Sequence, residues 1–134
     1  MSKNYFSEQD ICSKYVLPAI IDSGWNLHSQ IREQVTFTAG RIQIHGKTIS
    51  RGERKRADFI LYYKNNLPIA VIEAKDNNHS SGSGLEQAKQ YADALGVPFA
   101  YSTNGDEFVE FDFCTGKEST IKINEFPSPE ELLC

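Results

Sequence analysis

Pro68-Ile69-Ala70-Val71-Ile72-Glu73-Ala74-Lys75 reads as a buried β-strand that ends in two charges. The run is apolar on both faces, as expected of a strand covered from both sides. Glu73 and Lys75 stand two apart, so on an extended strand they leave the same face. A second strand lies just upstream, Arg56-Ala57-Asp58-Phe59-Ile60-Leu61, and the two are joined through Lys64-Asn65-Asn66-Leu67. Pairing them brings Asp58 beside Glu73 and Lys75. Two carboxylates and an ammonium then share one pocket. A hard divalent cation such as Mg²⁺ takes a few carboxylate oxygens plus water and substrate phosphate, and a neighbouring lysine can orient or deprotonate an attacking water. That combination suits phosphodiester hydrolysis. The competing reading of Glu-x-Lys is a surface ion pair of small energetic value, but a buried strand ending in charges demands a partner or a function.

The pattern Ala57-Asp58 followed by Glu73-Ala74-Lys75 resembles the PD-(D/E)xK nuclease motif. Alanine stands where the motif's name has proline, a residue that supplies no metal ligand. Downstream, Gln87-Ala88-Lys89-Gln90-Tyr91 sets Gln87 and Tyr91 four apart on one helical face. That spacing resembles a Gln-x-x-x-Tyr element of nuclease domains fused to DNA translocases. The plainer reading of this pair is core packing by Tyr91 with Gln87 at the helix surface. Lys55-Arg56-Ala57-Asp58, Tyr101-Ser102-Thr103-Asn104-Gly105 and Phe126-Pro127-Ser128-Pro129-Glu130-Glu131-Leu132 extend the likeness along the chain. Together these segments are similar to the N-terminal nuclease domain of type I restriction enzyme R subunits.

At 134 residues the chain is expected to form one domain, burying about two thirds of its unfolded surface. The net charge of −4 argues against a protein that coats DNA, because non-specific duplex binding rests on many Lys and Arg contacts to phosphate. DNA affinity of the chain alone should therefore be weak. Basic residues cluster in Arg51-Gly52-Glu53-Arg54-Lys55-Arg56, just before Asp58. Arg51, Arg54, Lys55 and Arg56 are candidates for DNA contact, and a solvated loop is the alternative. Cys12, Cys114 and Cys134 are odd in number and widely separated, giving neither a disulfide framework nor zinc spacing. With no signal-peptide-like N-terminus and no apolar run long enough for a bilayer, a soluble cytoplasmic protein without membrane contact is expected.

Ser7 starts a helix whose stripe is Ile11, Cys12, Tyr15, Val16, Ala19 and Ile20; Pro18 should kink it, Gly24 end it and Trp25 anchor its exit. Gln34 to Thr38, a turn at Ala39-Gly40, and Arg41 to His45 fit a hairpin. Residues 76–84 have almost nothing to bury and read as a mobile loop, with His79 solvated on it. Leu85 to Leu95 is the second helix, closed by Gly96, and Pro98 to Ser102 the strand after it. The fold class expected is α/β (α+β), with a mixed sheet flanked by helices; the resemblance implies a restriction-endonuclease-like αβββαβ core. A nuclease domain over residues 1–126 is expected, with 127–134 starting a linker or a following helix. Ser128-Pro129-Glu130-Glu131 carries that helix start. No phosphate-cradling Gly-rich motif ending in Lys-Ser or Lys-Thr is present, so this stretch should not itself bind ATP.

In the preferred reading Asp58 and Glu73 ligate Mg²⁺, with the Ala74 carbonyl as a further ligand. Lys75 orients the water, Gln87 orients the phosphate or the lysine, and Tyr91 supports Gln87. Some members of the resembling family carry an acid in the first turn that approaches the active site, which makes Glu8 a candidate accessory residue. A first-turn acid favoured by the helix dipole is the other reading. The resemblance further implies an ATP-driven translocase domain in the same subunit, partner methyltransferase and specificity subunits, and cleavage after translocation. Two alternatives stand beside it: a stand-alone repair nuclease of the same superfamily, and a catalytically idle docking module of a translocase.

Overall fold

The computed structural model describes residues 7–38, 43–45, 48–50 and 54–133. Its centre is a mixed six-stranded sheet in the order β1-β4-β5-β6-β7-β8. The strands are β1 (Ile31–Thr38), β4 (Arg54–Lys64), β5 (Leu67–Ala74), β6 (Phe99–Thr103), β7 (Glu107–Asp112) and β8 (Lys117–Lys122). The β5–β6 pair is parallel and every other neighbour pair is antiparallel. Helix α3 (Leu85–Leu95) makes the crossover that a parallel pair requires. The expected helix, three strands, helix, strand order is thus the core of the fold, extended by β7 and β8.

Two apolar layers hold the sheet. On one face Ile11, Val16, Ile20 and Trp25 from the N-terminal helices pack on Phe59, Leu61, Ile72, Tyr101 and Phe108. On the other, Ala88, Tyr91 and Ala92 of α3 pack on Ala57, Ile60, Val71 and Ala100. Both clusters draw on β4 and β5, which explains why Ile69–Ile72 is apolar on successive residues. Trp25 is 2% exposed, and its indole N–H donates to the Pro127 carbonyl at 2.8 Å. Phe126, next to that carbonyl, packs on Tyr101 and Phe108 with ring centroids 4.9 and 4.7 Å away.

The N-terminal helix departs from a single kinked rod. It runs as α1 (Glu8–Ile11), a π-helical turn (Cys12–Val16) and α2 (Leu17–Asp22). Pro18 cannot donate to the Lys14 carbonyl; the wider turn lets Leu17 N–H reach Cys12 O instead, and the proline falls at the start of α2. The hairpin expected between residues 34 and 45 is also corrected. β1 pairs with β4, from Ile31↔Leu61 to Thr38↔Arg54, while β2 (Gln43–His45) pairs with β3 (Thr48–Ser50). Alternating polarity marks a strand without naming its partner, and the eleven-residue β4 offers β1 a longer ladder than three-residue β2. The turn at Ala39-Gly40 lies outside the described residues.

The loop from 76 to 84 is tethered where a mobile segment was expected. The Asn77 amide donates to Asn104 O and to Asp106 Oδ2, both at 3.0 Å, and the Asn104 amide donates to His79 O at 2.9 Å. Ser81 Oγ donates to Glu107 Oε2 at 2.6 Å, and Gly84 N–H to the buried Ser102 hydroxyl at 2.9 Å. Polar side chains that look solvated in sequence are the cross-braces of this loop. Helix α4 (Pro129–Leu133) begins with a reciprocal cap: Glu131 N–H donates to Ser128 Oγ at 3.2 Å and Ser128 N–H to Glu131 Oε1 at 2.9 Å. It sets Leu132 into the core. Ser128→Ala is therefore expected to lower stability by about 1 kcal/mol, a shift readable in the urea midpoint; an unchanged midpoint would show that α4 contributes nothing.

Candidate active site

Asp58 and Glu73 meet where the β4–β5 ladder ends. The antiparallel register runs in to Phe59↔Ile72 and stops before Asp58 and Glu73. Past that point the strands are joined by side chains instead. Asp58 N–H donates to Glu73 Oε2 at 3.1 Å, and Ala74 N–H donates to Asp58 Oδ2 at 2.8 Å. Each carboxylate thus caps a backbone donor of the opposite strand. The two acids are 7% and 4% exposed.

Burying two carboxylates side by side is costly. The cost appears at Glu73, whose carboxyl is pushed up to about 8 by burial and then by the Asp58 charge, against the smaller opposing pull of the Asp58 N–H and Lys75. Glu8 is raised as well, through partial burial, the Asp58 charge and a hydrogen bond with Asp58, while Lys75 pulls the other way. The first-turn acid of α1 thereby joins the Asp58–Glu73 cluster. Cys12, one turn further along, has its thiol pushed well above the usual range by burial and by Asp58, Glu8 and Glu73. It is held as a neutral thiol under the acids.

Lys75 follows the last residue of β5 and continues the parallel ladder by donating its N–H to Thr103 O at 2.9 Å. A Cβ placed on Gly84 would lie 3.5 Å from Glu73 Cβ and 3.5 Å from Lys75 Cε. Glu73 and Lys75 therefore share the face covered by the start of α3, as strand alternation requires. Gly84 leaves room there for the lysine stem, and its N–H on Ser102 fixes the entry into the helix. Neither Gly84 nor Ser102 carries a sequence signal; both emerge from packing.

Gln87 and Tyr91 are joined directly, the amide Nε2 donating to the phenol oxygen at 2.6 Å. Tyr91 is 6% exposed and meets Phe37 edge-on at 5.2 Å. Core packing and support of Gln87 are thus the same residue's two roles. Among the described residues no hydrogen bond links Gln87 to Lys75 or to either carboxylate. Arg54, Lys55 and Arg56 belong to β4, not to a loop, and with Thr36 they line an open groove of about 420 Å³. Arg51 lies outside the described residues. His79, 51% exposed, holds Asp76 Oδ1 at 2.9 Å through Nδ1.

The donor set fits a hard cation. Among the described residues no three His, Cys, Asp or Glu side chains form a ready cage, but Mg²⁺ keeps several waters and commonly takes only one or two protein carboxylates. Asp58 and Glu73 could supply those, and a divalent charge would relieve their mutual repulsion. Carboxylate oxygens that already accept one hydrogen bond retain a lone pair for a ligand.

Residues 26–127 match a family model described as the type I restriction enzyme R protein N terminus (HSDR_N). The endonuclease subunit of the Escherichia coli type I restriction enzyme EcoAI is 43% identical over 130 residues, a match covering 94% of this chain and 16% of that subunit. A solved fragment assigned to the HsdR subunit of a type I restriction enzyme from Vibrio vulnificus YJ016 is 51% identical, with a TM-score of 0.79 over 96% of this chain and 25% of that one. The matched span of the family model contains Asp58, Glu73, Lys75, Gln87 and Tyr91, and Glu8 lies before it.

Proposed function

Because this chain belongs to the family of type I restriction enzyme R protein N-terminal regions, we propose that it is the Mg²⁺-dependent endodeoxyribonuclease domain of such an R subunit. The observation that supports this best is the buried Asp58–Glu73 pair at the open end of the β4–β5 ladder, with Lys75 on the same face as Glu73. A docking module gains nothing from two buried acids that repel each other. Asp58, Glu73 and the Ala74 carbonyl would hold the cation, which supplies positive charge against the oxygens of the scissile phosphate. Lys75 presents its ammonium to the attacking water and to the charge that develops on the phosphate. Glu8 sits behind Asp58 as an accessory acid. Gln87, steadied by Tyr91, orients the phosphate or the lysine.

The chain spans 16% of the EcoAI subunit, and in this reading an ATP-driven translocase occupies the rest of its own R subunit, with methyltransferase and specificity subunits as partners. Arg54, Lys55 and Arg56 give this domain a small basic strip in an otherwise acidic chain. Phosphate contacts are therefore few and DNA occupancy at physiological salt low. A tethered translocase raises the local DNA concentration without altering the chemistry.

Plasmid nicking tests the proposal. The 134-residue chain alone should cut little at moderate salt with Mg²⁺ or Mn²⁺, whereas the full subunit with its partners and ATP should cut freely and stop on chelation. Vigorous ATP-independent cutting by the chain alone would instead favour a stand-alone nuclease. Gln87→Ala should slow cleavage about tenfold to a hundredfold with partner assembly intact on gel filtration; loss of the complex would reassign α3 to docking.

A further inference from the structure

The β1–β4 ladder is continuous on both sides of one gap. Glu33 pairs with Phe59 and Val35 with Ala57, and the position between them, Gln34 opposite Asp58, is skipped. Gln34 has φ +53°, in the left-handed region that side chains other than Gly, Asn and Asp seldom occupy. Its amide Nε2 faces Asp58 Oδ1 at 3.4 Å. The ladder break and the side-chain contact fall on the same residue pair. Because β1 does not pair with Asp58, the Asp58 N–H is available to Glu73 Oε2, and its carboxylate turns to Ala74 N–H with Oδ2 and to Gln34 with Oδ1. Irregular strand positions beside active sites commonly re-aim a side chain in this way.

Given the metal site proposed above, on which this step rests, we infer that Gln34 is a positioning residue for Asp58. Its backbone opens the ladder and its amide steers Oδ1 toward the cation. Glu8 and Ala74 N–H contact the carboxylate from other sides, leaving Gln34 as its contact from β1. The role is distinct from that of a ligand: Gln34 touches the carboxylate, and the carboxylate would hold the metal.

Two substitutions separate backbone from amide. Gln34→Ala removes the amide but keeps the Cβ, so the left-handed backbone is as strained as in the wild type, whereas Gln34→Gly removes the amide and relieves that strain. Mn²⁺ binding by the 134-residue chain, followed by electron paramagnetic resonance, is the readout, with the thermal midpoint measured in parallel. Both variants are expected to bind Mn²⁺ about tenfold more weakly, with the thermal midpoint of Gln34→Gly above that of Gln34→Ala. Wild-type affinity in Gln34→Gly overturns the positioning role. Failure of the unmodified chain to bind Mn²⁺ overturns the metal site itself, so the two ideas fail by different results.

Discussion

Lys75→Ala in the full R subunit is expected to lower DNA cleavage by about 10²- to 10³-fold while leaving cation binding nearly unchanged. The lysine contributes no ligand. Its charge acts on the acids from the shared face beside Gly84, where it lowers the pKa of both Glu73 and Glu8. Removing it takes away the group proposed to present positive charge to water and phosphate but leaves Asp58 and Glu73 capped as before. Fold should survive, since the residue's backbone bond to Thr103 does not involve the side chain. A normal cleavage rate in Lys75→Ala would remove the role given to it.

The second large effect is on stability. Glu73 titrates at about 8 in the folded chain against 4.5 for a free carboxyl, so between those values the native state binds more protons than the unfolded state. The Glu73 contribution to the stability of the metal-free protein is therefore full below about pH 4.5 and is lost as pH rises toward 8, by an amount on the order of a few kcal/mol. Glu8 adds to the fall in the same direction. Glu73→Gln cannot ionise; it should flatten this slope and raise the melting temperature in chelator at pH 8. It should also weaken cation binding, because one anionic ligand is lost. Wild-type cation affinity should itself tighten with pH as the Glu73 proton becomes easier to displace. Melting curves in chelator that do not vary between pH 5 and pH 8 would contradict the buried-acid geometry.

What the sequence disclosed and what it hid follow one physical line. Asp58, Glu73 and Lys75 were legible because strand periodicity fixes their faces and the strand pair is local, joined through residues 64–67. Helix α3 was legible as Leu85 to Leu95 closed by Gly96, which adopts φ +71° at the C-cap. The Gln87–Tyr91 spacing predicted a shared face, and the hydrogen bond between them follows from it. By contrast the β1–β4 pairing is a choice among strands of similar pattern, settled by the whole sheet. The π turn before Pro18 resolves a conflict that the sequence announces without saying how it is relieved. Gln34 looks like any polar strand residue. Its left-handed backbone and its contact with Asp58, 24 positions away, leave no mark in the local pattern. The tethers of residues 76–84 were hidden for a related reason: Asn77, Ser81 and Asn104 are polar whether they face water or each other.

The most direct test is DNA cleavage by the reconstituted restriction complex carrying Asp58→Asn in the R subunit. Asparagine keeps an acceptor for the Ala74 N–H and so preserves the local structure, but it removes one of two anionic ligands. ATP hydrolysis and translocation should continue at the unmodified rate while double-strand breaks fall by about a thousandfold or more. Breaks at the unmodified rate from an Asp58→Asn complex would contradict the assignment of this domain as the nuclease.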